Sequence, residues 1–431
     1  MHIWDIRIKI KMLFLTKTCM WKPIINEQRD KIYIHNKIDD IYRILIKKIT
    51  KIKDFNLYWG KSGICLFFAY YQTINKKCQN NIEDIVESLI DDASQYKMTD
   101  SKHLTFYSEM AWLLCHLYEK KLINIDLDDY FSGIDESLYE GMIILWNKKE
   151  HGCINGAISI GLYFYYRYIL GGEKCKHYLE LFVDLIQKTA IEEENKTMKW
   201  ITTIDYVTLE QGFNLGIAHG IPGILLFLRK LYLENIKKDV ISDIIIKTGD
   251  FLLLQKKSLK THKSFFYYSI TDSPGHDSKL SWCYGDISVG YSLFMISTLR
   301  GIERKDIKEN ALDILLNTTT RTILWDNKIV DAGLCHGTSG IAHIYNKLYH
   351  HTSMLQFRDA ALYWYQETIK MAKYDNEYAG YRLPSSIKDS EMKLFETENL
   401  SYLTGISGIG LSLLSAIYPI EPSWDMSLLL S

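Results

Sequence analysis

The sequence predicts an all-α fold, a closed double ring of about seven inner and seven outer helices. Three observations carry this expectation. A small-residue turn followed by an apolar, helix-length run recurs seven times along the 431 residues. The stretches between these runs have amphipathic helical spacing, and sustained alternation of the strand type is missing. With only 6 prolines, a loop-rich sandwich or a chain of linker-joined domains is disfavoured, and thirteen of the 25 glycines fall in the seven turns.

In chain order the recurring segments are WGKSGICLFFAYY at Gly60, FYSEMAWLLCHLY at Ser108, INGAISIGLYFYY at Gly156 and AHGIPGILLFLRKLY at Gly220. CYGDISVGYSLFMIS at Gly285, CHGTSGIAHIYNKLY at Gly337 and LTGISGIGLSLLSAIY at Gly405 complete the set. Four match GxxG outright: Gly60/Gly63, Gly220/Gly223, Gly337/Gly340 and Gly405/Gly408. The Ser108 segment keeps the apolar run but has lost its glycines. A helix apolar nearly all round demands burial on most sides, whereas residues 33–49, 81–96, 240–255 and 357–372 carry one apolar stripe among charges. The first type makes an inner ring and the second an outer one. Glycine at the start of each inner helix lets backbones approach closely and tolerates positive φ. The free N–H groups of those helix starts would then gather at one end of the ring.

Residues 1–25 read as a poorly defined lead-in, and residues 26–431 as one domain. Lys9, Lys11 and Lys17 break the apolar core a signal peptide would need, and no uncharged run is long enough to span a bilayer. Lys+Arg is 51 against 52 Asp+Glu, which excludes a chain-wide basic footprint for nucleic acid. Eight cysteines without a CxxC pair do not make a disulfide scaffold. A cytoplasmic protein with reduced thiols is expected, reaching a membrane only through partners. A composition rich in Ile, Lys and Asn reads as bacterial.

Only some turns carry reactive side chains. Cys283 and Tyr284 directly precede Gly285, Cys335 and His336 precede Gly337, and His219 precedes Gly220. Taken singly, a buried cysteine is usually a small hydrophobe and a lone histidine a hydrogen-bonded structural residue. Their shared phase in consecutive repeats is what suggests a site. Two thiolates, one imidazole and an open fourth position is the pattern of a catalytic zinc centre.

AHGIPG, SWCYGD and LCHGTSG, in this order and spacing, resemble the signature segments of the lanthionine synthetase C-like proteins, the LanC cyclases. The resemblance runs from about residue 55 onwards. It implies an α/α toroid with one zinc ion at the mouth of the inner ring. Cys283, Cys335 and His336 would be its ligands, His219 the acid/base residue, and Tyr284 a residue lining the site. The implied reaction adds a peptide cysteine to dehydroalanine or dehydrobutyrine, closing a lanthionine or methyllanthionine thioether ring. No dehydratase or kinase segment is apparent, so a stand-alone cyclase is expected. Its partners would be a dehydrated precursor peptide, a separate dehydratase and an exporter. The polar stretches 189–203 and 256–281 are where a leader-binding insertion would lie.

Two positions depart from the family pattern. Gly152 stands where many members carry an aspartate, and Lys279 where many carry an arginine. Lysine keeps the charge but loses the planar fork. His151 or Asp286 could stand in for the aspartate, and Asp331 is positioned in sequence to orient a ligating histidine. These departures motivate an alternative: a catalytically impaired, zinc-bearing peptide-binding or scaffold protein of a lanthipeptide biosynthetic complex. Addition of glutathione to dehydro residues would use the same site. An α/α-barrel glycosidase would need paired carboxylates at the mouth, where the turns offer Cys and His instead.

Overall fold

The structure is a computed structural model that describes residues 21–75, 82–97, 100–131, 133–205, 208–271, 276–375, 377–382 and 400–431. The inner helices are Lys61–Ile74, Ser101–Glu119, Ala157–Ile169, Ile221–Leu233, Asp286–Ser297, Thr338–Thr352 and Ile406–Ile417. The outer helices are Gln28–Lys48, Ile82–Ser94, Asp135–Asn147, Glu173–Lys188, Lys238–Leu254, Lys305–Thr319 and Leu355–Met371. Their sequences explain the two layers. Every residue of Asp286–Ser297 is buried, whereas Gln28–Lys48 buries only the stripe Ile34, Ile38, Ile41 and Leu45. Ile406–Ile417 packs against both Thr338–Thr352 and Lys61–Ile74, so the ring closes on itself.

The turns are shaped by a steric demand. Except at Ser101–Glu119, the chain entering an inner helix crosses directly over the helix start. A Cβ on Gly337 would meet the Asp331 carbonyl at 2.6 Å, and one on Gly340 would strike the Leu334 carbonyl. Gly285 has in addition a φ of +92°, which a side chain rarely adopts. The GxxG pattern therefore serves loop-on-helix contact at the ring mouth.

The second repeat differs from the sequence expectation. Ser108 does not sit at a turn; it lies inside the continuous helix Ser101–Glu119, its hydroxyl 2.8 Å from the Thr105 carbonyl. Without glycine or proline, nothing in this stretch stops the helix from extending upstream. Among the described residues, five strands of two to four residues also form, outside the helical runs. Ile191–Glu192 pairs with Met198–Lys199, and Gln211–Asn214 lies between Thr202–Thr203 and Ser269–Ile270. Strands this short are too brief to write an alternating pattern into sequence.

Packing begins ahead of residue 26. The Trp21 indole donates to the Ser415 carbonyl at 2.7 Å, and the backbone N–H groups of Ile24 and Ile25 bond to Ala416 at 3.0 and 3.1 Å. At the far end of the chain, residues 423–430 fold back into the ring, with Trp424, Leu428, Leu429 and Leu430 buried. Among the described residues, no helix is long and apolar enough to cross a membrane.

Candidate metal centre

Backbone hydrogen bonds link the turns around the ring mouth. The Cys283 N–H donates to the Cys335 carbonyl at 3.3 Å, Cys335 N–H to Leu403 at 3.0 Å, and Leu403 N–H to Tyr58 at 3.0 Å. On the other side, Cys153 N–H donates to Ala218 at 3.0 Å. The second repeat supplies no turn, and a side chain takes its place. Glu109, 2% exposed, accepts the Leu57 N–H at 3.0 Å. Burial pushes its carboxyl up to about 8, partly opposed by backbone N–H groups of Leu57, Tyr58 and Asn155. Sequence reasoning missed Glu109 because its role depends on a turn that is absent.

This linkage brings the two cysteine-bearing turns side by side. One ligand atom from each of Cys283, Cys335 and His336 lies within 4.8 Å of the others, the one such group at this mouth among the described residues. Cys283 is buried, and Cys335 and His336 are half-buried. Asp331 stands behind the histidine: its Oδ2 is 2.9 Å from His336 Nε2, and its Oδ1 accepts the Gly333 N–H at 2.8 Å. Ser281, which the sequence did not single out, has its hydroxyl 3.5 Å from Cys283 Sγ.

The electrostatics fit a cation. A hydrogen bond from Cys335, followed by the charges of Lys279 and His336, pulls the Cys283 thiol down to about 6 against the cost of burial. The same pairing, together with burial, drives the Cys335 thiol well up. Two sulfurs within 4.8 Å favour one thiolate and one thiol, and a positive ion between them would let both ionise. For Asp331, burial opposes ionisation, but the hydrogen bond and charge of His336 outweigh it and hold the carboxyl below its ordinary value.

The other sequence-predicted residues divide. His219 and Tyr284 come together on adjacent turns, their ring centroids 6.5 Å apart. The backbones there are so close that a Cβ on Gly216 would meet the Tyr284 ring at 2.6 Å. Burial lowers His219 to about 4, so its imidazole is neutral near pH 7. Lys279 lies close enough to favour both thiolates. Asp286 is turned elsewhere: it accepts the N–H groups of Phe265 and Phe266 at 3.0 Å and pairs with Arg321 at 3.0 Å, bracing a loop. His151 stacks on Trp146 with centroids 3.8 Å apart, its Nε2 3.1 Å from the Trp146 carbonyl. Gly152 lies directly against His219, where a Cβ would meet Nδ1 of that ring at 2.7 Å.

Comparison with known proteins agrees with this architecture. A family model described as lanthionine synthetase C-like protein matches residues 51–429. No curated protein matches the chain in sequence. A solved structure titled nisin cyclase superposes with a TM-score of 0.73 at 16% identity, covering 92% of this chain and 98% of that one. At this identity the likeness is one of fold.

Proposed function

The chain belongs to the lanthionine synthetase C-like family, and on that premise we propose that it is a zinc-dependent cyclase that closes lanthionine and methyllanthionine rings in a dehydrated precursor peptide. The observation that carries this reading is the convergence of Cys283, Cys335 and His336 within 4.8 Å at the ring mouth. These three residues would hold one zinc ion and leave a fourth position open. When bound, that ion supplies the charge that keeps a substrate thiol ionised near neutral pH.

The remaining chemistry falls to side chains. A C–S bond forms at the β-carbon of the dehydro residue, the C=C π-bond breaks, and the α-carbon gains a proton. The proton lost by the thiol balances the one gained by carbon. His219, neutral at working pH, is suited to take the first and relay the second. The Lys279 ammonium lends positive charge where the enolate develops. Tyr284, its ring 6.5 Å from that of His219, lines the site. Asp331 fixes the His336 ring. The dehydro residues must come from a dehydration step, so a dehydratase is the partner the chemistry requires.

Gly152 supports a second reading, a zinc-bearing scaffold without turnover, because no carboxylate at that position assists His219. Incubation with a dehydrated precursor, with free thiols counted by alkylation and mass spectrometry, separates the two. A cyclase consumes thiols faster than the uncatalysed rate and loses that ability, with its zinc, on Cys335→Ala. Thiol loss at only the background rate with zinc bound would favour the scaffold.

A further inference from the structure

Ser423–Leu428 is a short 3-10 helix set largely inside the ring, and its buried carbonyls take donors beyond those its own backbone supplies. The segment Ser423–Leu430 obtains them from aromatic side chains on several walls. The Trp424 carbonyl accepts the Tyr402 hydroxyl at 3.1 Å, and the Ser427 carbonyl accepts that of Tyr58 at 2.9 Å. The Leu428 carbonyl accepts the Trp282 indole N–H at 3.0 Å, and the Leu430 carbonyl the Tyr291 hydroxyl at 2.6 Å. Asp425 fixes the segment to helix Thr338–Thr352 through His343 at 2.7 Å and Lys347 at 2.9 Å.

Three of these donors adjoin the metal turns. Trp282 is the residue before Cys283. Tyr402 precedes Leu403, whose carbonyl holds the Cys335 N–H at 3.0 Å. The Tyr58 carbonyl in turn holds the Leu403 N–H at 3.0 Å. Tyr291 is different: it lies within helix Asp286–Ser297, more than a turn away from the ligands. We infer that Ser423–Leu430 is a central hub that sets the spacing of Cys283 and Cys335, with Trp282 and Tyr402 as positioning residues acting through it. This rests on the metal reading above, yet it concerns how the two turns are held and not what they bind.

The test uses the full chain and cobalt(II) as the probe. Tyr402→Phe and Trp282→Phe each delete one donor to the hub and keep a ring in place. Each is expected to weaken cobalt binding by about 10- to 100-fold, the range for residues that orient metal ligands. Each should also speed alkylation of Cys283 in the metal-free protein. Tyr291→Phe removes a bond of the same kind to the same segment and should lower thermal stability while leaving both readouts at wild-type values. Equal effects of all three variants, or wild-type readouts in Tyr402→Phe and Trp282→Phe, would overturn the inference. If the wild type takes up no cobalt, the metal reading fails, and the alkylation rates still decide whether the hub positions the cysteines.

Discussion

Asp331 Oδ2 lies 2.9 Å from His336 Nε2, which sets a buried carboxylate directly behind the histidine of the candidate metal group. The carboxylate is itself fixed through its other oxygen, which accepts the Gly333 N–H at 2.8 Å. Asp331→Asn keeps the shape but loses the charge that raises ring basicity. Zinc affinity, measured by competition with a chromophoric chelator, is expected to fall about 10- to 100-fold with helical content unchanged. Undiminished affinity would show that Asp331 serves the turn alone.

Glu109 makes a prediction about pH. Its folded carboxyl is pushed up to about 8 from an ordinary 4.5, so between those values the folded chain holds a proton that the unfolded chain has released. The stability tied to that proton is therefore present at low pH and lost as pH rises through the window. Glu109→Gln resembles the protonated acid and cannot ionise. Wild-type urea midpoints should fall as pH rises from about 4.5 to about 8, and the variant's should fall less. Parallel curves would mean that Glu109 is already ionised in the folded protein.

Gly152 was legible in sequence only as a departure from family pattern; the structure adds that it is sterically enforced. A Cβ there would meet the Ala218 carbonyl at 2.7 Å and the Ile154 carbonyl at 2.9 Å, besides the His219 ring. Restoring the aspartate by Gly152→Asp is thus expected to destabilise the chain by about 1–3 kcal/mol, as overpacking does. It should not raise the cyclisation rate. A variant as stable as wild type and more active would show that the turn can yield.

How far the sequence carried the reading depended on whether a feature repeated. The inner helices announced themselves by uniform apolarity, and the common phase of His219, Cys283, Cys335 and His336 pointed to one end of the ring, where the last three converge as a group that could hold a metal. Glu109 was not, because it fills a place where the repeat breaks. Trp282, Tyr402 and the hub beneath them were hidden for another reason: their bonds run to backbone carbonyls more than a hundred residues away in one case, and carbonyls leave no mark in a sequence. His151 and Asp286 sat close to the site along the chain, but their side chains turn to Trp146 and to Arg321.

The hub's own anchor gives the last prediction. Asp425 is fully buried between His343 and Lys347, both on helix Thr338–Thr352. Burial opposes its charge, but Lys347 first and then His343 hold its carboxyl down at about 2 from an ordinary 3.8. The stability this contributes is present above pH 3.8 and is lost as pH falls through about 2. Asp425→Asn leaves the Lys347 ammonium buried without its counter-charge, which costs about 3–5 kcal/mol in comparable buried pairs. Removing the second charge as well relieves that penalty, so Asp425→Asn combined with Lys347→Met should be more stable than Asp425→Asn alone. Thermal melts of the two variants check this: additive losses would mean that the two charges do not compensate each other, and that the hub is held by packing of Trp424 and Leu428 instead.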